Sequence, residues 1–162
     1  MQTRFLIITG MSGAGKTQVV RTLEDLKYFC IDNLPAALIP KFAELCRQTS
    51  ESNVALVVDV RGGQFFDKLL QVLDEIKASG QKYELLFLDA DDATLVRRYK
   101  ETRRRHPLGD SETLLDNLAQ ERELLAPLLE KSTYIINTTD LNSSELKNRV
   151  RELFSTDNER ER

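Results

Sequence analysis

The chain has 162 residues and a formal net charge of −3, with 41% hydrophobic and 30% charged residues. These values suit one globular α/β domain with a sizeable core and exclude a strong bulk attraction to nucleic acid. Two cysteines are too few for a disulfide framework, and the lack of an apolar run of about 18 residues predicts no membrane span, so we expect a cytoplasmic protein.

The first predicted elements are a strand, a glycine-rich loop and a helix. Phe5–Ile8 is a short apolar run, typical of a buried strand. The sequence G-M-S-G-A-G-K-T at Gly10–Thr17 then fits the motif G-x4-G-K-[ST] without a mismatch. A helical pattern follows, with apolar residues at Val19, Val20 and Leu23. The complete motif in this context favours a P-loop, the name used below for Gly10–Thr17, over a chance Gly/Ser turn.

The residue types of the P-loop are those that a phosphate site needs. Glycines allow backbone conformations that a Cβ would block, and successive N–H groups can then form a concave nest for an anion. The positive end of the helix dipole lies at the same place. Lys16 can reach the β- and γ-phosphates, and the Thr17 hydroxyl can bind Mg²⁺. The predicted nucleotide-binding residues here are Gly10, Met11, Ser12, Gly13, Ala14, Gly15, Lys16 and Thr17.

Apolar segments alternate with amphipathic ones along the rest of the chain, which predicts βα repeats and a parallel sheet. The further predicted strands are Tyr28–Ile31, Val54–Val58, Tyr83–Leu88 and Tyr134–Ile136. Asn142 and Glu145 predict a capping box at the start of the last helix. If the third strand lies beside the P-loop strand, the fold is a three-layer α/β P-loop fold with a five-stranded parallel sheet in the order 2-3-1-4-5 and helices on both faces. Residues 1–155 are the predicted nucleotide-binding domain, and residues 156–162 are a charged tail.

Polar residues follow the predicted strands at the sheet edge where ligands of open α/β folds bind. Asp59 follows a buried strand in the form of a Walker B acid and is the candidate partner of Thr17 for Mg²⁺; the alternative is a strand-end Asp that caps the next turn. Asp89 is a weaker candidate for the same role. Asp32 is a candidate base for an attacking water or hydroxyl, although a turn before a proline is an equally good interpretation. The candidate catalytic residues are therefore Lys16, Asp59 and Asp32.

Positive charge is concentrated in residues 97–106, which contain five Arg and one Lys against one Glu. We predict a helix from about Ala93 to Arg105, ended by the proline at position 107. Guanidinium groups make forked, charge-assisted hydrogen bonds to phosphate, so Arg98 and Arg104 are candidates for a lid over a nucleotide. A solvated charged face, or a surface that contacts RNA or protein, are the alternatives.

Several stretches, taken together and in this order, resemble the RapZ/YvcJ family of P-loop nucleotide-binding proteins, also called RNase adapter proteins. Besides the P-loop, the matching stretches are Leu23–Pro35 (L-E-D-L-K-Y-F-C-I-D-N-L-P), Asp59–Gly62 (D-V-R-G), Leu85–Ala90 (L-L-F-L-D-A) and Arg97–Leu108 (R-R-Y-K-E-T-R-R-R-H-P-L). The resemblance extends from about Ile7 to Phe154. The P-loop alone is shared by many families, whereas this set of stretches is far more specific.

The resemblance implies that the chain binds ATP and GTP and hydrolyses both weakly. It assigns the P-loop to ATP and the stretch Asp59, Val60, Arg61 and Gly62 to GTP, although one shared phosphate and Mg²⁺ site is the simpler physical interpretation. Family members are longer and carry a second domain, so residues 156–162 can begin a linker to a missing C-terminal domain. That second domain is tied to small-RNA binding; RNA or a regulatory protein is therefore a possible partner of a full-length protein and is not expected for this domain alone. An oligomer is compatible with the sequence.

Three functions follow from these observations. The first, which we expect, is a regulatory nucleotide-binding domain with slow ATPase and GTPase activity, because no residue is clearly placed to orient water. The second is a small-molecule kinase of the nucleoside- or shikimate-kinase-like type, with Asp32 as the base. The third is an RNA- or protein-binding adapter that nucleotide switches.

Overall fold

The computed structural model describes most of the chain, in seven stretches. They are residues 4–11, 13–32, 35–49, 53–58, 63–80, 82–102 and 111–155. Six of the candidate site residues lie outside these stretches, namely Ser12, Asp59, Val60, Arg61, Gly62 and Arg104.

The centre of the fold is one sheet of five parallel strands. The strands are β1 (Phe5–Gly10), β2 (Phe29–Asp32), β3 (Val54–Val57), β4 (Glu84–Asp89) and β5 (Tyr134–Asn137). They lie in the order β2-β3-β1-β4-β5, so the predicted order 2-3-1-4-5 is confirmed. Each strand lies within two residues of its predicted span. Because all strands are parallel, their carboxyl ends, and the turns that follow them, share one edge of the sheet.

Helices cover both faces of this sheet. They are α1 (Lys16–Asp25), α2 (Ile39–Thr49), α3 (Gly63–Ala78), α4 (Asp92–Thr102), α5 (Ser111–Lys131) and α6 (Ser143–Phe154), with a short 3₁₀ turn at Ala36–Leu38. Right-handed crossovers place α1 on one face and α2 to α5 on the other. Accordingly α1 packs against α6, α2 against α3, and α4 against α5. None of the helices in the described part of the chain is long and apolar enough to cross a lipid bilayer.

The core is densest around β1, which lies in the middle of the sheet. Leu6, Ile7 and Ile8 have no exposed surface, since parallel sheets are covered on both faces. Burying each of these side chains contributes about 1.5–3 kcal/mol to folding. This strand is therefore held by fully buried side chains, and it ends at Gly10, the first residue of the P-loop.

A polar cluster closes the other edge of the sheet, where the strands begin. Arg4 donates from Nε to Glu84 Oε1 at 2.7 Å and from Nη2 to Glu84 Oε2 at 2.8 Å. Tyr134 donates its hydroxyl to the same carboxylate at 2.7 Å, and Arg4 lies over the ring of Phe154, 5.0 Å from its centroid. Burial opposes ionisation of Glu84, but the hydrogen bonds from Arg4 and Tyr134 prevail and lower its pKa. The cluster thus joins β1, β4, β5 and the end of α6.

The predicted start of α6 is confirmed in detail. Glu145 N donates to Asn142 Oδ1 at 2.8 Å, and Asn142 N donates to Glu145 Oε1 at 3.1 Å. This reciprocal pair is a capping box, with Asn in place of the more usual Ser or Thr. It fixes where α6 begins, and with it the position of Leu146, which faces the P-loop.

Candidate functional site

The site begins where β1 ends against β4. Gly10 has φ +149°, and a Cβ at this position would lie 2.2 Å from the carbonyl oxygen of Leu88. The next residue, Met11, donates its N–H to the same oxygen at 3.0 Å. Only glycine lets the backbone pass this close to the neighbouring strand, so the first glycine of the motif sets how the loop leaves the sheet.

Two further glycines of the P-loop have backbone conformations that suit a phosphate nest. Gly13 has φ +84° and Gly15 has φ +110°, both in the left-handed region. Gly15 is the N-cap of α1, and a Cβ on it would lie 3.1 Å from Leu146 Cδ2. The first turn of α1, which is described throughout, carries no acidic residue. The positive end of this helix is therefore left to favour an anion from outside the chain.

The two side chains that the motif assigns to phosphate and metal lie at the start of α1. Lys16 is half-buried and donates from Nζ to the carbonyl oxygen of Gly10 at 3.2 Å, so its ammonium group lies across the loop. Thr17 is exposed. Among the described side chains no three His, Cys, Asp or Glu residues form a metal cluster. A Mg²⁺ ion held by one hydroxyl, phosphate oxygens and waters does not need such a cluster, so the donors present fit a Mg²⁺–nucleotide complex.

Arg98, the described member of the candidate lid, contacts the P-loop directly. It donates from Nη1 to the carbonyl oxygen of Gly13 at 3.1 Å. It also donates to Thr138, from Nη1 to Oγ1 at 2.9 Å and from Nη2 to the carbonyl oxygen at 2.7 Å. Thr138 is 2% exposed and donates its hydroxyl to the carbonyl oxygen of Ala14 at 2.8 Å. The arginine of α4, the turn after β5 and the P-loop thus form one network.

The strand-end acids do not all face the loop. Asp89 Oδ1 accepts from Ala90 N at 2.8 Å and from Arg122 Nη1 at 2.9 Å, so this carboxylate is used to hold the turn after β4. Arg122 also donates from Nε to Asp92 Oδ1 at 2.8 Å. Burial alone would lower the pKa of Arg122, but its hydrogen bonds to Asp92 and Asp89 outweigh burial and raise it. Asp32 is exposed at the end of β2, an edge strand that lies two strands away from β1.

The second stretch assigned to nucleotide, Asp59 to Gly62, lies outside the described residues. The structure describes the chain up to Val58, the residue directly before this stretch. Val58 is 2% exposed and donates its N–H to the carbonyl oxygen of Ile8 at 2.9 Å. Val58 therefore lies beside β1, at the edge of the sheet that carries the P-loop.

Two residues at this edge of the sheet, Thr138 and Arg122, were not among the candidate site residues. Thr138 stands in the stretch N-T-T-D after β5, where nothing in the sequence distinguishes a buried hydroxyl from an exposed one. Arg122 is one charged residue among many in α5, and it has no motif around it. Both act through contacts with residues far away in the chain, which no local pattern reveals.

Comparison with known proteins agrees with this geometry. A family model described as the RapZ-like N-terminal domain matches residues 3–158. A protein of Clostridium botulinum named nucleotide-binding protein is 50% identical over 153 residues, which are 93% of this chain and 52% of that protein. Another protein with this name, from Desulforamulus reducens, is 52% identical over 158 residues, or 96% of this chain and 53% of that protein. The chain spans about half the length of the curated relatives it matches.

Solved structures show the same fold at much lower sequence identity. Shikimate kinase from Bacteroides thetaiotaomicron superposes with a TM-score of 0.61 at 23% identity, covering 94% of this chain and 98% of the other. The tunicamycin resistance protein of Deinococcus radiodurans gives a TM-score of 0.66 at 15% identity, covering 96% and 98%. The chain therefore shares the architecture of these solved structures, and at these identities the likeness concerns the fold alone.

Proposed function

Because the chain belongs to the family of RapZ-like N-terminal domains, we propose that it is a regulatory nucleotide-binding domain that binds ATP and GTP and hydrolyses them slowly with Mg²⁺. Nucleotide binding is the common property in the names of its relatives. The observation that carries the proposal is the P-loop itself. Three glycines with positive φ lead into the N-terminus of α1, and the Lys16 ammonium group lies across them.

In this proposal each part of the site has a separate task. The loop N–H groups and Lys16 bind the phosphates, while Thr17 and Asp59 hold Mg²⁺, which neutralises charge on the phosphate oxygens. Val60, Arg61 and Gly62 follow Asp59 and complete the proposed nucleotide contacts at that edge. Arg98 and Arg104 contribute positive charge beside the phosphates. ATP and GTP compete for this one site, because both carry the triphosphate that the P-loop binds.

The positions of two described acids support slow hydrolysis, because neither is clearly placed to activate a water at the P-loop. Asp89 is engaged by Arg122, and Asp32 lies at the end of an edge strand. General-base catalysis needs a carboxylate within hydrogen-bond reach of the attacking water. We therefore propose that the bound nucleotide persists long enough to act as a signal.

Lys16→Ala tests the proposal. With nucleotide at about 100 times Kd, binding stabilises the wild type by about 2.7 kcal/mol, which raises Tm by roughly 5–11 °C for a chain of this size. Lys16→Ala removes the ammonium group and is expected to abolish the rise with both Mg·ATP and Mg·GTP. Lys68→Ala, which removes an exposed lysine of α3, is the charge-matched control and keeps the full rise. An equal rise in both variants would contradict the proposal.

A small-molecule kinase is the second candidate, favoured by one observation. The carboxylate of Asp32 is exposed at the ligand-binding edge of the sheet, where a general base for an acceptor hydroxyl can lie. Incubation with labelled ATP and a panel of small-molecule alcohols separates the two functions. A phosphorylated alcohol whose formation Asp32→Asn abolishes would establish the kinase, whereas release of inorganic phosphate alone supports the regulatory domain.

A further inference from the structure

Backbone carbonyl groups of the P-loop have donors of their own, and two of these donors come from distant parts of the chain. Gly10 O accepts from Lys16, which belongs to the loop. Gly13 O accepts from Arg98 in α4, and Ala14 O accepts from the hydroxyl of Thr138, after β5. The loop is therefore held from outside at two adjacent peptide groups. The N–H of the first group, on Ala14, donates to Met11 O at 3.1 Å, so the second group, between Ala14 and Gly15, is the one considered below.

The carbonyl contacts determine where the N–H groups point. In a trans peptide the C=O and the N–H of one peptide group point in opposite directions. When Thr138 holds Ala14 O, it directs the N–H of Gly15 away from itself, toward the other side of the loop. A phosphate nest depends on such N–H directions, so a donor on the carbonyl side contributes to anion binding without touching the anion.

Thr138 is well suited to this task because its own position is fixed. It is 2% exposed, and its N–H donates to the carbonyl oxygen of Asp89 at 2.8 Å. Its hydroxyl accepts from Arg98 and has two carbonyl acceptors within reach, Ala14 O at 2.8 Å and Asp89 O at 3.3 Å, of which the shorter contact is to Ala14. A buried hydroxyl of this kind cannot turn to water when one partner is lost, and the carbonyl group left behind is costly.

We propose that Thr138 is a positioning residue for triphosphate binding, whose hydroxyl, itself held by Arg98, fixes the peptide group between Ala14 and Gly15 in the orientation that phosphate needs. This inference rests on the proposed nucleotide function and adds to it a residue that lies 124 positions away from the loop it supports. The turn after β5 thereby sets the affinity of the P-loop. Loss of this hydroxyl is therefore expected to weaken binding of every ligand that carries a polyphosphate, whatever its base.

The test compares Thr138→Val, Thr138→Ser and wild type by equilibrium titration with Mg·ATP and with Mg·tripolyphosphate, which has no base. Valine keeps the shape and removes the hydroxyl, so Kd is expected to rise about tenfold for both ligands, equivalent to about 1.4 kcal/mol. Serine restores the hydroxyl and returns Kd to within about threefold of the wild type, a difference of less than 1 kcal/mol. Thr22→Val is the matched control, because Thr22 is also buried but donates its hydroxyl to Gln18 O inside α1.

Each other result overturns the inference in a distinct way. Unchanged binding of both ligands by Thr138→Val shows that the hydroxyl does not position the loop. A loss with ATP but not with tripolyphosphate shows contact with the base instead. Failure of the wild type to bind either ligand removes the proposed function itself. If Thr138→Val does not fold, judged by circular dichroism, Arg98→Met carries the test, and unchanged tripolyphosphate affinity in that variant overturns the network.

Discussion

Single residues set the geometry of the P-loop, and Gly10 shows this most directly. Both Gly10 and Gly80 have positive φ, at +149° and +87°. A Cβ on Gly10 meets the Leu88 backbone at 2.2 Å, while a Cβ on Gly80 has nothing within 4 Å. Alanine variants at these two positions can therefore be compared: both place a Cβ on a residue with positive φ, but only the variant at Gly10 also creates a steric overlap.

We predict that Gly80→Ala costs about 1–2 kcal/mol, the usual penalty for a left-handed non-glycine residue. Gly10→Ala adds a clash that separates β1 from β4, so its cost exceeds that of Gly80→Ala by about 2 kcal/mol or more, as expected for overpacking in a core. Urea denaturation followed by circular dichroism measures both. Equal costs for the two variants would show that the approach of Gly10 to Leu88 is unimportant.

Among the individual site residues, the sequence predicted those that belong to a motif of neighbouring positions. The glycines, Lys16 and Thr17 were assigned from their spacing alone. The contact between Arg98 and Thr138 joins residues 40 positions apart, and the hydroxyl of Thr138 reaches the loop from 124 positions away. Nothing in the chain near either residue encodes these distances, because tertiary packing creates them.

The positions of the strands, by contrast, follow closely from the pattern of hydrophobic residues in the sequence. Strands of a covered parallel sheet are continuous apolar runs, and each run here is followed within two residues by Gly, Asp or Asn. The capping box of α6 was also predicted, because both of its hydrogen bonds join residues three positions apart. The cluster of Arg4, Glu84 and Tyr134 could not be predicted, since it depends on which strand ends become neighbours in the sheet.

Glu84 is expected to make this cluster sensitive to acid. Its folded-state pKa lies below the ordinary value of 4.5, so the carboxylate stabilises the fold above that pH, and this contribution is lost as pH falls through the folded pKa. We predict that Glu84→Gln lowers the free energy of unfolding at pH 7 by about 1.5–3 kcal/mol, the scale of hydrogen bonds to a charged group.

Thermal denaturation between pH 7 and pH 3 measures this effect. The difference in Tm between wild type and Glu84→Gln should narrow progressively as pH falls below 4.5, because the carboxylate of the unfolded chain takes up a proton there first and the folded carboxylate does so only at lower pH. Glu75→Gln, at an exposed site on α3, is the control and should follow the wild type at every pH. A difference that stays constant down to pH 3 would show that the charge of Glu84 does not hold the cluster.

Across the whole molecule, the polar cluster of Arg4, Glu84 and Tyr134 and the candidate site lie at opposite ends of the parallel strands. Arg4, Glu84 and Tyr134 fasten the edge where strands begin, while the P-loop, Arg98 and Thr138 lie where strands end. The strand order followed from one assumption, that the strand before Asp59 lies beside β1, and this pairing is observed. The site residues from Asp59 to Gly62 and Arg104 stay predictions, since they lie outside the described residues.

The most direct test of the central claim is calorimetric titration of the purified chain with Mg·ATP, followed by displacement with Mg·GTP. A single nest of N–H groups capped by Lys16 predicts saturation at one nucleotide per chain, complete displacement of ATP by GTP, and no binding to Lys16→Ala. Absence of saturable binding by the wild type, or unchanged affinity in Lys16→Ala, would contradict the claim that residues 10–17 bind the triphosphate.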